Sequence, residues 1–143
     1  MKIIFKHSRS YVIRFERGEL WPEVFLVFCR AQGVRSAFFY GLGGFIDPEV
    51  AYYDLKRTRQ YASKRLKGVF EVLTLTGNAA FLDGRFVVHC HVVLGRKDYA
   101  AVGGHLVSAR IGGTLELYVH TLGSKIIRKK DKKTGLKLLE SGI

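Results

Sequence analysis

Three histidines fall within seventeen residues of this chain: His89, His91 and His105, in the stretch FVVHCHVVLGRKDYAAVGGHL. Three neutral imidazoles can hold a zinc-like ion at about 2.0–2.1 Å and leave a fourth tetrahedral position open. His89 and His91 stand two residues apart in an apolar run. On a strand they therefore project from one face, with Cβ atoms roughly 7 Å apart. Cys90 then faces the opposite layer. Gly103 and Gly104 allow close backbone approach and can bring His105 to the pair. The alternative is that the histidines hydrogen-bond to neighbours on a half-buried strand, or line a subunit contact. His7 and His120 are isolated in the sequence and read as ordinary.

Two glutamates interrupt apolar strands, Glu71 in VFEVLTL and Glu116 in TLELYV. An ionised carboxylate there needs a partner or a nearby cation. Either can accept an imidazole N–H at the histidines or act as a base on metal-bound water. The plainer reading is a solvent-facing strand position, or an ion pair with Arg110 or Arg14. The chain has no G-x-S-x-G, H-E-x-x-H or P-loop pattern. No catalytic residue is assigned, and an enzyme is the less favoured class. Its form would be a metal-dependent enzyme acting on a small or phosphorylated substrate at His89, His91 and His105.

The elements that must carry these residues follow from periodicity. KIIFKH and YVIRFE read as two short strands broken at Ser8-Arg9. Leu20, Val24, Val27, Phe28 and Ala31 recur at helical spacing, with Pro22 suited to a first turn and Gly33 to the residue past the end. VRSAFFYGLGGF predicts a buried strand followed by a tight turn at Gly41-Leu42-Gly43-Gly44. EVAYYDL and VFEVLTLTGNAAF read as strands, and the turn at Leu82 to Gly84 leads into RFVVHCHVVLG. RKDYAAVGG reads as a loop before HLVSARIGGTLELYVHTL, where Gly112-Gly113 marks a bulge. The pattern is a single α+β domain over residues 1–143: a largely antiparallel, open barrel-like sheet with one main helix packed on it. SAFFYGLGGF and TLELYVHTL are apolar on both strand faces, so the helix or another subunit must cover them.

The formal net charge of +12 is concentrated in two segments. Residues 56–67, KRTRQYASKRLK, hold six bases and no acid, and residues 125–137, KIIRKKDKKTGLK, hold seven bases and one acid. The remaining chain is neutral. Residues 125–143 read as a basic hairpin or tail. Such segments attract polyanions through phosphate contacts, with Lys56, Arg57, Arg59, Lys64, Arg65, Lys67, Lys129, Lys130, Lys132 and Lys133 as the nucleic-acid-binding candidates. Tyr52, Tyr53 and Tyr61 lie in or beside the first segment and can stack on unpaired bases. No recognition helix is evident, so binding would be directed at the backbone. A plain solvated surface is the alternative. Cys29 and Cys90 lie in apolar contexts and fit free thiols in a reducing compartment. With no signal-like N-terminus and no apolar run of membrane-spanning length, a soluble cytoplasmic protein without membrane contact is expected.

Five segments together, GVRSAFFYGLGGF, GVFEVLTLTGN, HCHVVLG, VGGHLVSARIGGTLELYV and DKKTGLKLLE, resemble the PPC domain, conserved in plants and prokaryotes. The H-x-H followed by G-G-H-L is the most specific part. The resemblance implies a sheet-and-helix fold assembled as a homotrimer, in a family often linked with DNA. It also implies a metal, usually zinc, on His89, His91 and His105. The R-G-R core of an AT-hook is absent, so minor-groove binding of that kind does not carry over. The resulting expectation is a DNA- or nucleic-acid-associated trimer with a three-histidine zinc site. The alternatives are the metal-dependent enzyme above and a trimeric protein-interaction module.

Overall fold

The computed structural model describes residues 1–140; the last three residues of the basic segment lie outside the described residues. The chain opens with β1 (Lys2–His7) and β2 (Ser10–Glu16), paired antiparallel across the break at Ser8-Arg9. A two-residue strand β3 (Leu20–Trp21) precedes the helix α1 (Glu23–Ala31). Then come β4 (Ala37–Tyr53), β5 (Tyr61–Arg65), β6 (Val69–Leu82), β7 (Arg85–Gly95) and β8 (Ala101–Thr121). The short strands β9 (Ile127–Lys130) and β10 (Lys137–Glu140) form a closing hairpin. The result is mostly sheet with one short helix, the α+β class expected.

The helix begins after Pro22 and ends before Gly33, which adopts φ +62. Its buried face differs from the expected one. Phe25, Phe28 and Cys29 are buried, whereas Leu20 and Val27 are 48% and 50% exposed. Phe25 wins the inward position because it joins an aromatic cluster: its ring lies 4.8 Å from Phe39 and 5.3 Å from Trp21. Beneath this cluster, Ile13, Phe15, Phe45, Leu75, Ile111, Leu115 and Leu117 fill the core from alternate positions of their strands.

β4 and β8 are long, and together they organise the sheet. β4 pairs with β6 and β8, β6 with β7, and β7 with β8, so these pairings return on themselves. The tight turn expected at Gly41-Leu42-Gly43-Gly44 is absent: β4 runs straight through it. A Cβ on Gly43 would collide with the Thr114 carbonyl, and Gly43 also sits at φ +154. The glycines therefore serve close strand approach, which a single sequence does not distinguish from a turn. Gly103 and Gly104 are likewise within β8, not in a loop. The bulge expected at Gly112-Gly113 is present, where the β4–β8 register shifts between Gly43 and Phe45. Asp83 and Gly84, both at positive φ, make the turn between β6 and β7.

Two faces of these strands differ sharply. Phe39 is buried, but its neighbours Phe38, Tyr40 and Leu42 are 46%, 58% and 57% exposed on the outer face. Tyr118 of β8 lies against Tyr40, ring centroids 5.2 Å apart. Gly103 gives a direct check of the close-approach argument. A Cβ there meets the Val92 carbonyl, while one on Gly113 meets nothing within 4 Å. Gly103→Ala is expected to lower stability by about 1–3 kcal/mol, as overpacking does, and Gly113→Ala to change it by less than about 0.5 kcal/mol; urea denaturation of both variants measures the difference.

Candidate metal centre and its basic cavity

His89 and His91 project from the same face of β7, as their spacing requires, and Cys90 between them is buried. His105 arrives by strand register: it pairs directly with His91, and on its other edge β8 pairs with β4 at Ala51. The diglycine acts as expected in one respect and differently in another. It lets β8 pack tightly between β7 and β4, but it holds His105 in a regular strand and does not swing it in on a flexible loop. The three rings lie 5.0, 5.3 and 5.7 Å apart, centroid to centroid. One ligand nitrogen from each lies within 4.8 Å of the others.

The protonation state suits a metal. Burial first, then the neighbouring Arg128 and the other two histidines, pushes His89 down to about 4. Burial first, with His91 and Arg128, does the same for His105, also to about 4. Both imidazoles are therefore neutral at neutral pH, the form that ligates. Nδ1 of His105 is buried and has no hydrogen-bond partner, an arrangement that a ligated ion would relieve. The donor set fits a divalent transition ion such as zinc: three nitrogens and one open position.

Neither expected glutamate stands at the histidines. Glu71 is exposed on β6 opposite Gly95, and Glu116 is exposed on β8 opposite Arg14. The solvent-facing reading holds for both within this chain. What stands beside His89 is Arg128, from β9. That strand runs parallel to the end of β6, with Leu82 paired to Arg128. Arg128 Nη2 donates to Asn78 Oδ1 at 2.7 Å and to His89 Nδ1 at 3.0 Å, and Nη1 donates to the Lys137 carbonyl. Asn78 is the cross-strand partner of His89. Sequence reasoning missed both residues. Arg128 sits in a run of bases where nothing marks it out, although it is 7% exposed and the others are not buried.

A cavity of about 560 Å³ opens next to the histidines, lined by His89, His105 and Arg128 and walled by Tyr53, Tyr61, Val87 and Leu138. Its further bases are Arg59, Lys130 and Lys137, and among the described residues no acidic side chain lines it. The two basic segments, far apart in sequence, meet here. The Tyr53 hydroxyl lies 2.9 Å from the Arg59 carbonyl and 2.8 Å from the Thr134 carbonyl, tying one segment to the other. Tyr61 tilts over His105 with centroids 4.8 Å apart. Of the other expected bases, Lys56, Arg57, Lys64, Lys129, Lys132 and Lys133 are exposed. Arg65 is paired with Glu49 at 2.7 Å, and Lys67 approaches Asp47 at 4.0 Å, so these two are less available to phosphates.

Sheet, helix and histidine trio together define a β-rich α+β domain with a candidate metal centre on a basic cavity. The model of the Plants and Prokaryotes Conserved (PCC) domain matches residues 4–123, and the chain belongs to that family. A PPC protein of Pyrococcus horikoshii is 32% identical, with 99% of this chain and 97% of that one covered and a TM-score of 0.85. A metal-containing protein of Archaeoglobus fulgidus is 27% identical over 99% and 100% of the two chains, with a TM-score of 0.85. A Bacteroides thetaiotaomicron protein provisionally described as DNA-binding is 26% identical over 95% and 94%, with a TM-score of 0.88. No curated protein matches the sequence. Among the described residues no helix is long and apolar enough to cross a membrane.

The depressed histidines make a prediction for the metal-free protein. A group whose folded value of about 4 lies below the ordinary 6.5 binds fewer protons folded than unfolded between those values. Stability therefore falls as pH drops from 6.5 towards 4. Urea midpoints measured across that range should decline for the native sequence and decline less for the His89→Gln/His105→Gln double variant.

Proposed function

We propose that this PCC domain is a nucleic-acid-associated homotrimer that carries a divalent metal ion, zinc by its donor set, on His89, His91 and His105. The observation that carries the nucleic-acid reading is the joining of residues 56–67 and 125–137 on one rim, where Arg59, Lys130 and Lys137 face one cavity. Clustered bases with a single acid among them gain from releasing the counterions of a phosphate backbone. The concave shape and the absence of a base-reading helix fit contacts to backbone phosphate with little sequence preference. The Bacteroides relative described provisionally as DNA-binding supports this reading. The Archaeoglobus relative described as metal-containing supports the metal.

When bound, the metal would supply a Lewis-acidic cation with one open position. The chain's own residues hold His89 and His105 neutral by burial, and they line the cavity beside them with bases. A trimer would cover the outer face of Phe38, Tyr40, Leu42 and Tyr118, an apolar surface that water does not favour. It would also gather three copies of each basic segment, which raises avidity for a long polyanion. The cavity favours a second reading, a metal-dependent enzyme acting on a small substrate. Its volume falls in the range of small-molecule sites, and His89 and His105 line it.

Elemental analysis of purified protein should find one metal per chain, lost in His91→Ala with the far-ultraviolet spectrum unchanged. Retention on DNA should fall by about three orders of magnitude or more between roughly 50 and 200 mM salt. Replacing Lys129, Lys130, Lys132 and Lys133 by Ala should lower the salt slope by about one for each phosphate contact removed. DNA retention that ignores salt and these lysines, or protein purified metal-free and unable to take up zinc, would remove the corresponding half of the proposal. Sedimentation equilibrium should give three chains, and Tyr40→Arg should give one.

A further inference from the structure

We propose that the cavity takes a small organic oxyanion whose head group bridges a metal on the histidines and the guanidinium of Arg128, so that metal and anion bind as a coupled pair. This rests on the metal-centre reading above and adds to it a ligand class and a role for a residue outside the histidine trio. A neutral imidazole has one N–H and one lone pair, and a guanidinium only donates. The 3.0 Å contact from Arg128 Nη2 therefore uses the lone pair of His89 Nδ1 and places the ring proton on Nε2. A metal needs a lone pair from the same ring. If it takes Nδ1, Arg128 is displaced. If it takes Nε2, the proton moves to Nδ1 and two donors face each other. On either nitrogen, ligation of His89 breaks the contact with Arg128.

The released guanidinium keeps Asn78 Oδ1 and the Lys137 carbonyl as acceptors but has no anionic partner. Arg128 is 7% exposed, its Nε is buried without a hydrogen bond, and no carboxylate of the described residues lies within 4.0 Å of it. A divalent ion at the histidines would then stand a few ångströms from an uncompensated buried cation. An oxyanion resolves both problems. One oxygen fills the open metal position, and others accept from the guanidinium fork. Phosphate monoesters and carboxylates share this chemistry. A volume of about 560 Å³ is more than a bare phosphate fills, and the walls beyond Arg128 are Tyr53, Tyr61, Val87 and Leu138. The geometry points to a flat apolar body behind the head group, with Arg59 and Lys130 at the rim attracting the negative charge.

The test is a Co²⁺ titration of the full chain, read by the visible absorption of the bound ion, with and without phenyl phosphate. Benzoate and inorganic phosphate are run in parallel. Phenyl phosphate should tighten Co²⁺ binding by about tenfold or more, and Co²⁺ should tighten phenyl phosphate by the same factor. Complexation of free Co²⁺ by phosphate acts in the opposite direction, so tightening is not an artefact of it. Inorganic phosphate should couple less than phenyl phosphate; benzoate coupling as strongly would assign the head group as carboxylate. Arg128→Met should bind Co²⁺ at least as tightly as the native chain without anion, and its coupling should fall severalfold, leaving only the part due to the metal–oxygen bond. Arg128→Lys, which keeps the charge without the fork, should retain part of it and serves where the Met variant does not fold. Co²⁺ bound through the histidines with affinity unmoved by any of the three anions, or coupling intact in both Arg128 variants, would overturn this inference alone. Failure of the native chain to bind Co²⁺ would overturn the metal reading with it.

Discussion

Backbone proximity along β8 is the constraint on which the site depends. That strand is paired on one edge with β7 and on the other with β4, and at His105 both partnerships coincide. Three strands this close leave no room for a Cβ at Gly103, where it would strike the Val92 carbonyl, and little at Gly104, where the Ala51 carbonyl would lie at 2.9 Å. The register that satisfies the backbone hydrogen bonds is also the register that sets His105 opposite His91. A one-residue slip would send His105 to the other face of the sheet. The histidine cluster is thus a by-product of ladder pairing, held by many main-chain bonds and not by the side chains themselves.

Electrostatics at this cluster is governed by burial more than by neighbouring charge. Burial is the largest cause holding His89 and His105 neutral, and it also pulls Arg128 down. Nearby positive charge adds to the effect on the histidines, because Arg128 disfavours a second cation beside it. A single guanidinium therefore does two opposed things. It keeps His89 deprotonated, which a metal requires, and it occupies the lone pair that the metal would use. Residues in such tension are where a fold departs from simple self-consistency, and such departures concentrate at functional sites.

How much of this could be read from the sequence differs by element. The period of two places His89 and His91 on one face and sends Cys90 inward, as the structure shows. His105 needed knowledge of which strand pairs with which, information that lies in contacts far apart along the chain; the family resemblance supplied it. The glycines at 41–44 predict a turn where the chain runs on as a strand, because close strand packing and reversal of direction call for the same small residue. Glu71 and Glu116 looked costly inside apolar strands, yet each sits on an outer face where its apolar neighbours Leu73 and Tyr118 are also exposed. An alternating strand with apolar residues on both faces carries no mark of which face is inside. Arg128 was illegible for the reverse reason: one buried arginine among lysines has the same sequence signature as an exposed one.

Position within the fold, not charge alone, separates the bases that matter at the cavity from those that solvate the surface. Lys129 and Lys133 project into water, whereas Arg59, Lys130 and Lys132 line the space between the two basic segments. An exposed lysine contributes to long-range attraction that salt screens over about 10 Å. A guanidinium at the floor of an acid-free cavity acts at short range, where screening is weak and hydrogen-bond geometry selects among anions. On the function proposed above, the same +12 divides into a diffuse part for a nucleic-acid backbone and a focused part for one oxyanion at a time. Phosphate is the chemistry common to both proposed parts, and the Tyr53 hydroxyl, close to the Arg59 and Thr134 carbonyls, links the two segments at that rim alongside the pairing of β9 with β6.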